Sequence, residues 1–474
     1  MSLRLRKTKI VATIGPACDA LPILEQMILA GMSVARLNFS HGTFDEHAAR
    51  IQRLRAAAKT VGRDIALMAD LPGPKMRIGQ LAEEPIHVAP GGVFTLTTRE
   101  IVGDAGQAWM TFARLPQVVK PGDRLFLNDG IIELEVERVS GPDVHCRVVA
   151  GGELRSRKGL NLPRIDLGIS AFTERDRECL KFALAHGVDA VSQSFVESAA
   201  DIQAVREAAR SFGGDPFILA KIERSRALEH VDEILAVADG IMVARGDLGV
   251  EVPIEHIAIL QKSLVNKAVR LGKPVIVATQ MVESMTHNRQ PTRAEATDVA
   301  NAVLDGADCV MLSGESATGD FPVEAVGVLA RITAATEPHR KRADLWERLK
   351  TLPRKTDYST ADLLSLSVEA VIVASSPAVV VVPTCSGATA RAIARFRLPV
   401  WIAAPTDCAN VARNLQFTYG IEPVPMQQVP TECTAFTHDW VSAEKLPGRV
   451  ALLVQGPSPG HPYANHRMEI LQLH

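Results

Sequence analysis

The 474-residue sequence predicts an α/β protein built on a (β/α)8 TIM barrel, with a small β-barrel domain inserted into it and a separate C-terminal α/β domain. Three observations predict this architecture. Runs rich in β-branched residues alternate with amphipathic helical stretches over the first 337 residues. One segment, residues 73–158, changes to strands and turns, and the alternation restarts on a smaller scale after a polar stretch at residues 339–355.

Strands that alternate with helices form right-handed βαβ units and a parallel sheet, and eight such units in succession favour a closed barrel. An open doubly wound sheet is the alternative, but no GxGxxG motif follows any of these strands. We assign residues 1–72 and 159–337 to the barrel. Its predicted strands are residues 8–15, 34–40, 65–71, 190–195, 217–223, 240–248, 274–281 and 309–315.

The segment at residues 73–158 is punctuated by hairpin-turn sequences such as Asn128-Asp129-Gly130. A barrel tolerates an insertion there because the loops at its C-terminal face do not build the core. Two connecting strands would allow this domain to close over the barrel mouth as a lid. Its predicted strands are residues 86–88, 93–97, 124–127 and 131–137.

Residues 338–474 form the predicted C-terminal domain, a candidate effector domain. Helices are predicted to begin at Ala388 and Asp407, between short apolar runs. The predicted strands are residues 377–384, 399–406, 421–426 and 449–456.

The composition argues against several classes of protein. A net charge of -2 without charge blocks, together with 4% aromatic residues, gives no support for binding nucleic acid or an anionic membrane. No apolar run approaches the roughly 20 residues of a membrane span, and no signal-peptide pattern opens the sequence. The seven cysteines are scattered without a CxxC motif, which favours reduced thiols. We expect a cytoplasmic protein.

Polar side chains interrupt the predicted strands near their C-terminal ends, where TIM-barrel active sites lie. Lys221 and Glu223 are two residues apart and point to one side of their strand. The next strand offers Asp247 beside Gly246, and the strand after it ends at Thr279. Any one of these charges could simply be balanced by a helix terminus or by another charge at a strand end. Their convergence from several strands favours an active site.

These residue types suit phosphoryl transfer. Glu223 and Asp247 provide the hard oxygen ligands that Mg²⁺ prefers. Lys221 is a compact positive charge, and Arg36 and Arg77 have planar guanidinium groups that match phosphate. Because a Walker A loop is absent, nucleotide phosphates would be held by side chains and metal.

The chain contains six distinctive segments: TKIVATIGP (residues 8–16), ARLNFSHG (35–42), MVARGDLG (242–249), ATQMVESM (278–285), PTRAE (291–295) and DVANAVLDGAD (298–308). They resemble segments of the pyruvate kinase family, and the resemblance extends over nearly the whole chain. The resemblance implies a glycolytic enzyme that converts phosphoenolpyruvate and ADP to pyruvate and ATP with Mg²⁺, for which Mn²⁺ could substitute. It also implies a homotetramer.

Carried over by motif, the resemblance implies that Lys221 stabilises the transferring phosphoryl group and the enolate oxygen. Arg36 would contact the phosphate, and the Gly246 amide would lie near the substrate carboxylate. Thr279 would lie near the methylene carbon that is protonated to give pyruvate.

The resemblance also implies the metal and nucleotide sites. Glu223 and Asp247 would bind Mg²⁺, and Asp247 would also face the substrate. Arg77 and Lys158 would hold nucleotide phosphates. His41 would either join them or make a structural hydrogen bond.

The monovalent-cation region departs from the common family pattern. Asn38, Ser40 and Asp70 match it, but Leu71 and Lys75 stand where many K⁺-dependent relatives have threonine and glutamate. An ammonium group there would place a fixed positive charge where K⁺ otherwise sits. The sequence therefore resembles the K⁺-independent branch, although Lys75 could instead be a solvated surface charge.

A hydroxyl-rich turn in the C-terminal domain precedes a predicted helix. Thr384, Ser386 and Thr389 there resemble the family's sugar-phosphate effector loop, and AMP is another candidate effector. A plain helix N-cap is an equally good interpretation.

Two other functions remain open on the sequence alone. An aldolase or lyase that stabilises an enolate on Mg²⁺ would account for Glu223 and Asp247, but not for Arg77, Lys158 or the lid. A catalytically silent relative that senses metabolites is the second alternative.

Overall fold

A computed structural model describes residues 5–340, 360–430, 432–457 and 465–473 of the chain. Its described strands are β1 (Lys9–Thr13), β2 (Val34–Asn38), β3 (Ala66–Leu71), β4 (Ile86–Val88), β5 (Val93–Thr97), β6 (Gln107–Trp109), β7 (Arg124–Leu127), β8 (Ile132–Ser140), β9 (Asp143–Ala150), β10 (Gly152–Leu154), β11 (Leu160–Asn161), β12 (Ala190–Gln193), β13 (Phe217–Ile222), β14 (Gly240–Ala244), β15 (Val275–Ala278), β16 (Cys309–Leu312), β17 (Val379–Val381), β18 (Trp401–Thr406), β19 (Ile421–Pro425), β20 (Val450–Gln455) and β21 (Arg467–Gln472).

Helices connect the strands of the barrel and flank those of the C-terminal domain. The described α-helices are Leu21–Ala30, Phe44–Val61, Leu115–Val118, Glu174–Ala185, Ala199–Ser211, Ser225–Glu229, Val231–Val237, Arg245–Glu251, Ile257–Arg270, Arg293–Asp305, Gly314–Ala317, Pro322–Thr336, Thr360–Ser375, Ala388–Ala394, Ala409–Asn414 and Thr434–Glu444. None of the described helices is both long enough and apolar enough to cross a membrane.

The eight predicted barrel strands form a closed parallel barrel in the order β1-β2-β3-β12-β13-β14-β15-β16, and β16 pairs back onto β1. This confirms the (β/α)8 prediction and excludes the open sheet. Buried side chains such as Val11, Met242 and Met311 fill the interior. A larger apolar layer lies between the strands and the surrounding helices.

The sixth barrel strand is shorter than predicted. Its ladder with β15 ends at the pair Ala244 and Ala278, so the backbone groups that follow have no strand partner. They begin the helix Arg245–Glu251 instead, and the Gly246 amide in its first turn donates to the Thr279 hydroxyl. Gly246 and Asp247 therefore lie in the first turn of a helix, and the predicted extension of the strand to residue 248 is wrong.

The insertion is a β-rich domain of two sheets with one short helix, Leu115–Val118. One sheet has the order β11-β7-β8-β9-β5-β6, and β4 pairs with β10 in a second, two-stranded sheet. Phe94, Leu125 and Leu134 are fully buried in a core that belongs to this domain and extends as far as Leu167.

The C-terminal domain contains a five-stranded sheet of order β19-β18-β17-β20-β21, in which only β21 is antiparallel to its neighbour. The four predicted strands are present, and β21 is an additional edge strand. The polar stretch predicted at residues 339–355 lies almost wholly outside the described residues.

This domain covers the N-terminal end of the barrel. Phe417 is fully buried there and stacks on Phe217 at the start of β13, with ring centroids 5.4 Å apart. The Nζ of Lys9 donates to the Ile421 carbonyl at 2.6 Å. The opposite, C-terminal end of the barrel is left to the loops and the inserted domain.

Candidate active site

Lys221 occupies the centre of the charged cluster at the C-terminal end of the barrel. Its Nζ lies 2.7 Å from Glu223 Oε1 and 3.4 Å from Asp70 Oδ1, and it donates to Ser194 Oγ at 2.7 Å. Only 8% of the residue is exposed. Burial opposes the charged form, but Asp70 and Glu223 outweigh it and raise the pKa of Lys221. The side chain is therefore a fixed ammonium group.

Asp70, at the end of β3, joins Lys221 to Arg36. Its Oδ2 accepts hydrogen bonds from Arg36 Nε at 3.0 Å and from Arg36 Nη2, and its Oδ1 accepts from Ser192 Oγ at 2.7 Å. Burial alone would raise the pKa of Asp70, but Arg36 and Lys221 hold it well below its usual range. Arg36 Nη1 also donates to Thr13 Oγ1 at 2.9 Å, so the guanidinium group is held from two sides.

Asp247 differs from the other carboxylates of the cluster because no described residue donates a hydrogen bond to it. Burial, followed by the negative charge of Glu223, raises the pKa of Asp247 to about 6. Glu223 is better compensated, since its Oε2 accepts from the Phe195 amide at 2.8 Å and its Oε1 faces Lys221. A pair of carboxylates with one under-compensated member is suited to bind a cation.

This pair fits Mg²⁺ better than a metal held wholly by protein. The described residues contain no cluster of three or more histidine, cysteine, aspartate or glutamate side chains that could hold a metal ion. Mg²⁺ is usually held by one or two carboxylates, and water and substrate oxygens complete its octahedral shell. Glu223 and Asp247 provide a donor set of that kind.

Thr279 has a left-handed backbone, with φ at 68°. This conformation is costly for a β-branched residue and persists only where its surroundings enforce it. Arg245 Nη2 donates to the Thr279 carbonyl at 2.7 Å, and an ion pair of 2.7 Å with Asp298 fixes the guanidinium group. The Gly246 amide in turn donates to Thr279 Oγ1 at 2.8 Å. The strained turn therefore presents the hydroxyl of Thr279 to the first turn of the helix that contains Asp247.

The predicted nucleotide residues meet at the base of the inserted domain. Arg77 Nη1 donates to the Arg157 carbonyl at 3.1 Å, and the Ile78 amide donates to the Lys158 carbonyl at 2.9 Å. The chain segments of Arg77 and Lys158 are therefore paired. The His41 carbonyl accepts from a neighbouring histidine ring, and partial burial followed by nearby cations lowers the pKa of His41.

Lys75 lies at the edge of the cluster and is exposed. Desolvation, followed by repulsion from Lys221, lowers the pKa of Lys75, while Asp70 and Asp247 act in the opposite direction. Its ammonium group thus lies within electrostatic range of the site. Asn38 is the register partner of Asp70, and its Oδ1 accepts from the Ser40 amide at 3.1 Å.

Two carboxylates anchor the connections between the barrel and the inserted domain. Asp176 Oδ1 accepts from the Gly73 amide at 2.9 Å, and Asp201 Oδ1 accepts from the Ala171 amide at 3.0 Å. Gln193 Nε2 also donates to the Ala171 carbonyl at 2.8 Å. The lid therefore departs from the barrel at two fixed points.

Sequence reasoning missed several side chains that shape the site. Thr13, Ser192 and Ser194 contact its charged groups directly, and Asp129 of the inserted domain contributes to the raised pKa of Asp247. Ser192 and Ser194 are two residues apart at the end of a barrel strand, so their side chains point to the same side, and this spacing could have indicated them. The position of Asp129 depends on how the inserted domain sits over the barrel, which no local pattern records.

In the C-terminal domain, two hydroxyls of the predicted effector loop accept hydrogen bonds from backbone amides at the start of a helix. Thr384 Oγ1 accepts from the Gly387 amide at 2.8 Å, and Ser386 Oγ accepts from the Ala388 amide at 3.3 Å. Thr389 lies in the first turn of the helix Ala388–Ala394. Gly387 is the N-cap residue and has no side chain to cap the helix, so these hydroxyls make local turn contacts just before the helix rather than a standard N-cap.

Comparisons with known proteins give a consistent result along the chain. The family model for the pyruvate kinase barrel domain matches residues 5–326, and the model for the pyruvate kinase alpha/beta domain matches residues 364–455. The chain is 46% identical over 433 residues to a pyruvate kinase of Thermococcus litoralis, with 90% of each chain covered. It is 41% identical over 419 residues to one of Geobacillus stearothermophilus, which covers 88% of this chain and 71% of the relative. Its fold is similar to the crystal structure of a pyruvate kinase from Cryptosporidium parvum, with a TM-score of 0.92, 33% identity and coverage of 99% and 97% of the two chains.

Proposed function

The chain belongs to the pyruvate kinase family, and on that premise we propose how its barrel mouth transfers a phosphoryl group from phosphoenolpyruvate to ADP. One observation carries the proposal. The buried ammonium group of Lys221 is fixed between Asp70 and Glu223, beside the under-compensated carboxylate of Asp247. Phosphoryl transfer requires such positioning and neutralisation of developing negative charge.

During transfer, a β-phosphate oxygen of ADP forms a bond to the phosphorus, and the bond from phosphorus to the enol oxygen breaks. Lys221 and Arg36 stabilise the negative charge on the phosphoryl and enolate oxygens. The Gly246 amide would orient the substrate carboxylate after exchanging its hydrogen bond with Thr279 Oγ1 for one with the substrate. Thr279 faces the methylene carbon, where addition of a proton completes pyruvate.

Glu223 and Asp247 are the proposed metal ligands. Bound Mg²⁺ would neutralise charge on the phosphoryl and enolate oxygens and help to orient both substrates. Mn²⁺ accepts the same oxygen ligands and could substitute. The contact between Glu223 Oε1 and Lys221 Nζ, at 2.7 Å, holds the glutamate side chain in place at the site.

Arg77 and Lys158 are the proposed nucleotide-phosphate residues, with His41 nearby. Their position at the base of the inserted domain would couple binding of ADP to closure of the lid. Closure would exclude water, which otherwise competes with ADP for the phosphoryl group.

The test is a coupled assay on the purified protein with phosphoenolpyruvate, ADP and MgCl₂, in which lactate dehydrogenase reports pyruvate. We expect pyruvate only when both substrates and the metal are present, and none after chelation with EDTA. Binding of phosphoenolpyruvate without release of pyruvate would identify a sensor. Cleavage of a pyruvate-containing substrate without ADP would identify a lyase.

We also propose that the enzyme works without K⁺. Lys75 is within electrostatic range of Asp70 and could supply the charge that a bound monovalent ion provides near Asn38 and Ser40 in K⁺-dependent relatives. Initial rates in tetramethylammonium and potassium buffers of equal ionic strength should be similar. A large stimulation by potassium would contradict the proposal.

The loop with Thr384, Ser386 and Thr389 is a proposed site for a sugar phosphate or AMP, with a purely structural role at the start of the helix as the alternative. The hydroxyls of Thr384 and Ser386 would have to exchange their contacts with the Gly387 and Ala388 amides for contacts with the phosphate. Saturation curves for phosphoenolpyruvate, recorded with and without each effector, would decide. No shift with any effector would leave the structural role alone.

We propose a cytoplasmic homotetramer. Two separate regions expose large apolar side chains, which is typical of surfaces covered by another subunit. Ile254 and Ile259 are 75% and 66% exposed beside the barrel, and Ile470 is 52% exposed on the edge strand β21. Light scattering during size-exclusion chromatography would give the mass, and a monomer would contradict the proposal.

A further inference from the structure

Arg224 follows the proposed metal ligand Glu223 in the chain and takes no part in the proposed chemistry. Its side chain is among the largest of those that are fully buried in the described residues, and 1% of the residue is exposed. A guanidinium group is rarely buried unless it is paired, because it cannot lose its charge. The contacts of Arg224 therefore indicate which parts of the chain it holds in place.

Arg224 contacts the segment by which the chain returns from the inserted domain to the barrel. This return segment, residues 162–173, follows β11 and precedes the helix Glu174–Ala185. Arg224 Nη2 donates to the Ile165 carbonyl at 3.0 Å and to the Leu162 carbonyl at 3.3 Å. Both acceptors are backbone groups, so the contact fixes the path of the chain.

Two carboxylates face the other nitrogens of this guanidinium group. Nη1 of Arg224 lies 3.6 Å from Glu251 Oε1, and Nε lies 3.1 Å from Glu197 Oε1. Glu251 is itself buried, and its Oε2 accepts from the amide of Ser225 at 3.2 Å and from its hydroxyl at 3.1 Å. The charge of Arg224 is therefore compensated within the chain.

Both carboxylates belong to elements that hold the proposed metal ligands. Glu251 is the last residue of the helix whose first turn contains Asp247. Glu197 lies in the loop after β12, where the Phe195 amide donates to Glu223 Oε2 at 2.8 Å. One buried guanidinium group thus connects the elements of the metal site to the return segment of the inserted domain.

The return segment also determines the position of Lys158, a proposed nucleotide-phosphate residue. Lys158 precedes Leu162 by four positions, and β11 between them pairs with β7 of the inserted domain. The Lys158 carbonyl accepts from the Ile78 amide at 2.9 Å. A backbone that is fixed at Leu162 therefore leaves Lys158 little freedom to move relative to the barrel.

Resting on the proposed function, we infer that Arg224 is a positioning residue for the nucleotide. It fixes the return segment, and with it Lys158, relative to Glu223 and Asp247, so that ADP held by the lid is aligned with the metal site. Arginine suits this role because its planar group has five donors in a fixed fork, whereas lysine provides a point charge. The groups proposed for phosphoenolpyruvate belong to the barrel strands, so their alignment does not depend on the return segment.

Arg224→Lys is the principal test, because it keeps a positive charge beside the buried Glu251. Steady-state rates are measured with ADP and phosphoenolpyruvate varied in turn. We expect the KM for ADP to rise roughly tenfold, as for the loss of one hydrogen bond to a charged group, and the KM for phosphoenolpyruvate to stay unchanged. A variant that merely folded less well would lose kcat and keep both KM values.

A second variant removes the buried cation and a buried carboxylate together. Arg224→Met alone would leave Glu251 buried without its counterion, so it is combined with Glu251→Gln. The double variant should also raise the KM for ADP selectively. Arg226→Met is the matched control, because Arg226 contacts Asp166 of the same return segment at 2.7 Å but is half-buried and pairs with an exposed residue. Its loss should leave both KM values unchanged.

Amide hydrogen exchange gives a readout that does not require activity. In both Arg224 variants, residues 162–168 should exchange faster than in the unmutated protein, whereas residues 132–150, which contribute to the separate core of the inserted domain, should exchange at the same rate. Melting curves would show that the variants are folded.

Four results would overturn the inference. They are an unchanged KM for ADP in both folded variants, an equal rise in both KM values, a loss of kcat alone, and unchanged exchange at residues 162–168. If the unmutated protein releases no pyruvate, the proposed function fails instead, and hydrogen exchange still shows whether Arg224 holds the return segment.

Discussion

The two ends of the barrel bury similar charged groups but compensate them differently. At the N-terminal end, Asp308 accepts hydrogen bonds from the amides of Val275 and Tyr419 and from Arg397 of the C-terminal domain. At the C-terminal end, Asp247 has no described hydrogen-bond donor. Burial raises the pKa of both carboxylates, to about 6 for Asp247, so the difference between them lies in their hydrogen-bond partners. The chain itself supplies the hydrogen-bond donors of Asp308, whereas Asp247 remains available to bind a partner from solution.

Asp189, also at the N-terminal end of the barrel, is another buried carboxylate whose partners belong to the chain. Asp189 precedes β12 and is contacted by Arg55 of the barrel at 2.8 Å and by Arg413 of the C-terminal domain at 2.7 Å. A buried charge that is fully paired holds two domains in register. A carboxylate in a cleft that has a raised pKa and no donor is a candidate for chemistry. Paired charges occur at both ends of the barrel, and the half-buried Asp247, without a described donor, is what sets the functional end apart.

The largest effect is expected at the structural end. Asp308→Ala would leave the Arg397 guanidinium and two backbone amides buried without their acceptor, which should lower the free energy of unfolding by about 3–5 kcal/mol. Denaturant titration would measure it. Glu178→Ala, which removes an exposed pair with Arg175, is the matched control and should cost about 0–1 kcal/mol. An equal effect of both variants would show that the Asp308 contacts do not hold the domains together.

At the functional end, Lys221→Met should lower kcat by roughly 10²–10³, because the cation that stabilises the developing charge is lost. Steady-state rates with phosphoenolpyruvate and ADP, together with a melting curve, would separate this loss from unfolding. Lys262→Met is the control, since Lys262 forms only a surface contact with Asp305 and Asn301. Retention of normal kcat in a folded Lys221→Met protein would refute the assigned role.

A smaller effect is expected from pH. Asp247 must be ionised to bind a divalent cation, and its pKa is raised to about 6 in the metal-free protein. The affinity for Mn²⁺ should therefore be constant well above pH 6 and fall by up to roughly tenfold per pH unit below it. Titration of the free protein with Mn²⁺ would show this. Asp247→Asn should bind weakly at every pH, and an unchanged pH profile in that variant would exclude Asp247 as the titrating group.

The smallest effect concerns the monovalent ion. Lys75→Glu would replace a cation by a carboxylate beside Asp70, so activity should fall and be restored at least in part by K⁺. Lys75→Gln is the matched control, because it removes the charge without creating a ligand carboxylate. Equal rates with and without K⁺ in the Lys75→Glu variant would place the ammonium group of Lys75 outside the cation region.

The barrel could be predicted because its signal is local and repeated. Each strand is a short apolar run, and Lys221 and Glu223 interrupt one of them in a period that shows which side they face. The start of the helix at Arg245 could not be predicted, because it depends on where the ladder between β14 and β15 ends. Lengths of strands in a closed sheet are set by their neighbours rather than by their own residues.

The contacts within the site also depend on neighbouring strands and could not be predicted from the local sequence. The residue types of Arg36 and Asp70 indicate charge, but their mutual hydrogen bonds arise from neighbouring barrel strands. The left-handed turn at Thr279 was also invisible, since threonine has no preference for it and Arg245 enforces it from outside. The residue types at the strand ends were enough to predict the kind of chemistry. The orientation of the site's side chains depended on the tertiary fold.

Closure of the barrel has a consequence for how the chain folds. The final ladder joins Lys9 to Cys309, so a contact between residues 300 positions apart completes the sheet. The inserted domain and the C-terminal sheet are built from nearer segments and have separate apolar cores. Long-range pairing forms slowly because loop closure must precede its stabilisation. During synthesis, β1 must therefore remain without its second neighbour until β16 has left the ribosome, and its unpaired edge is the part of the nascent chain that most needs protection from aggregation.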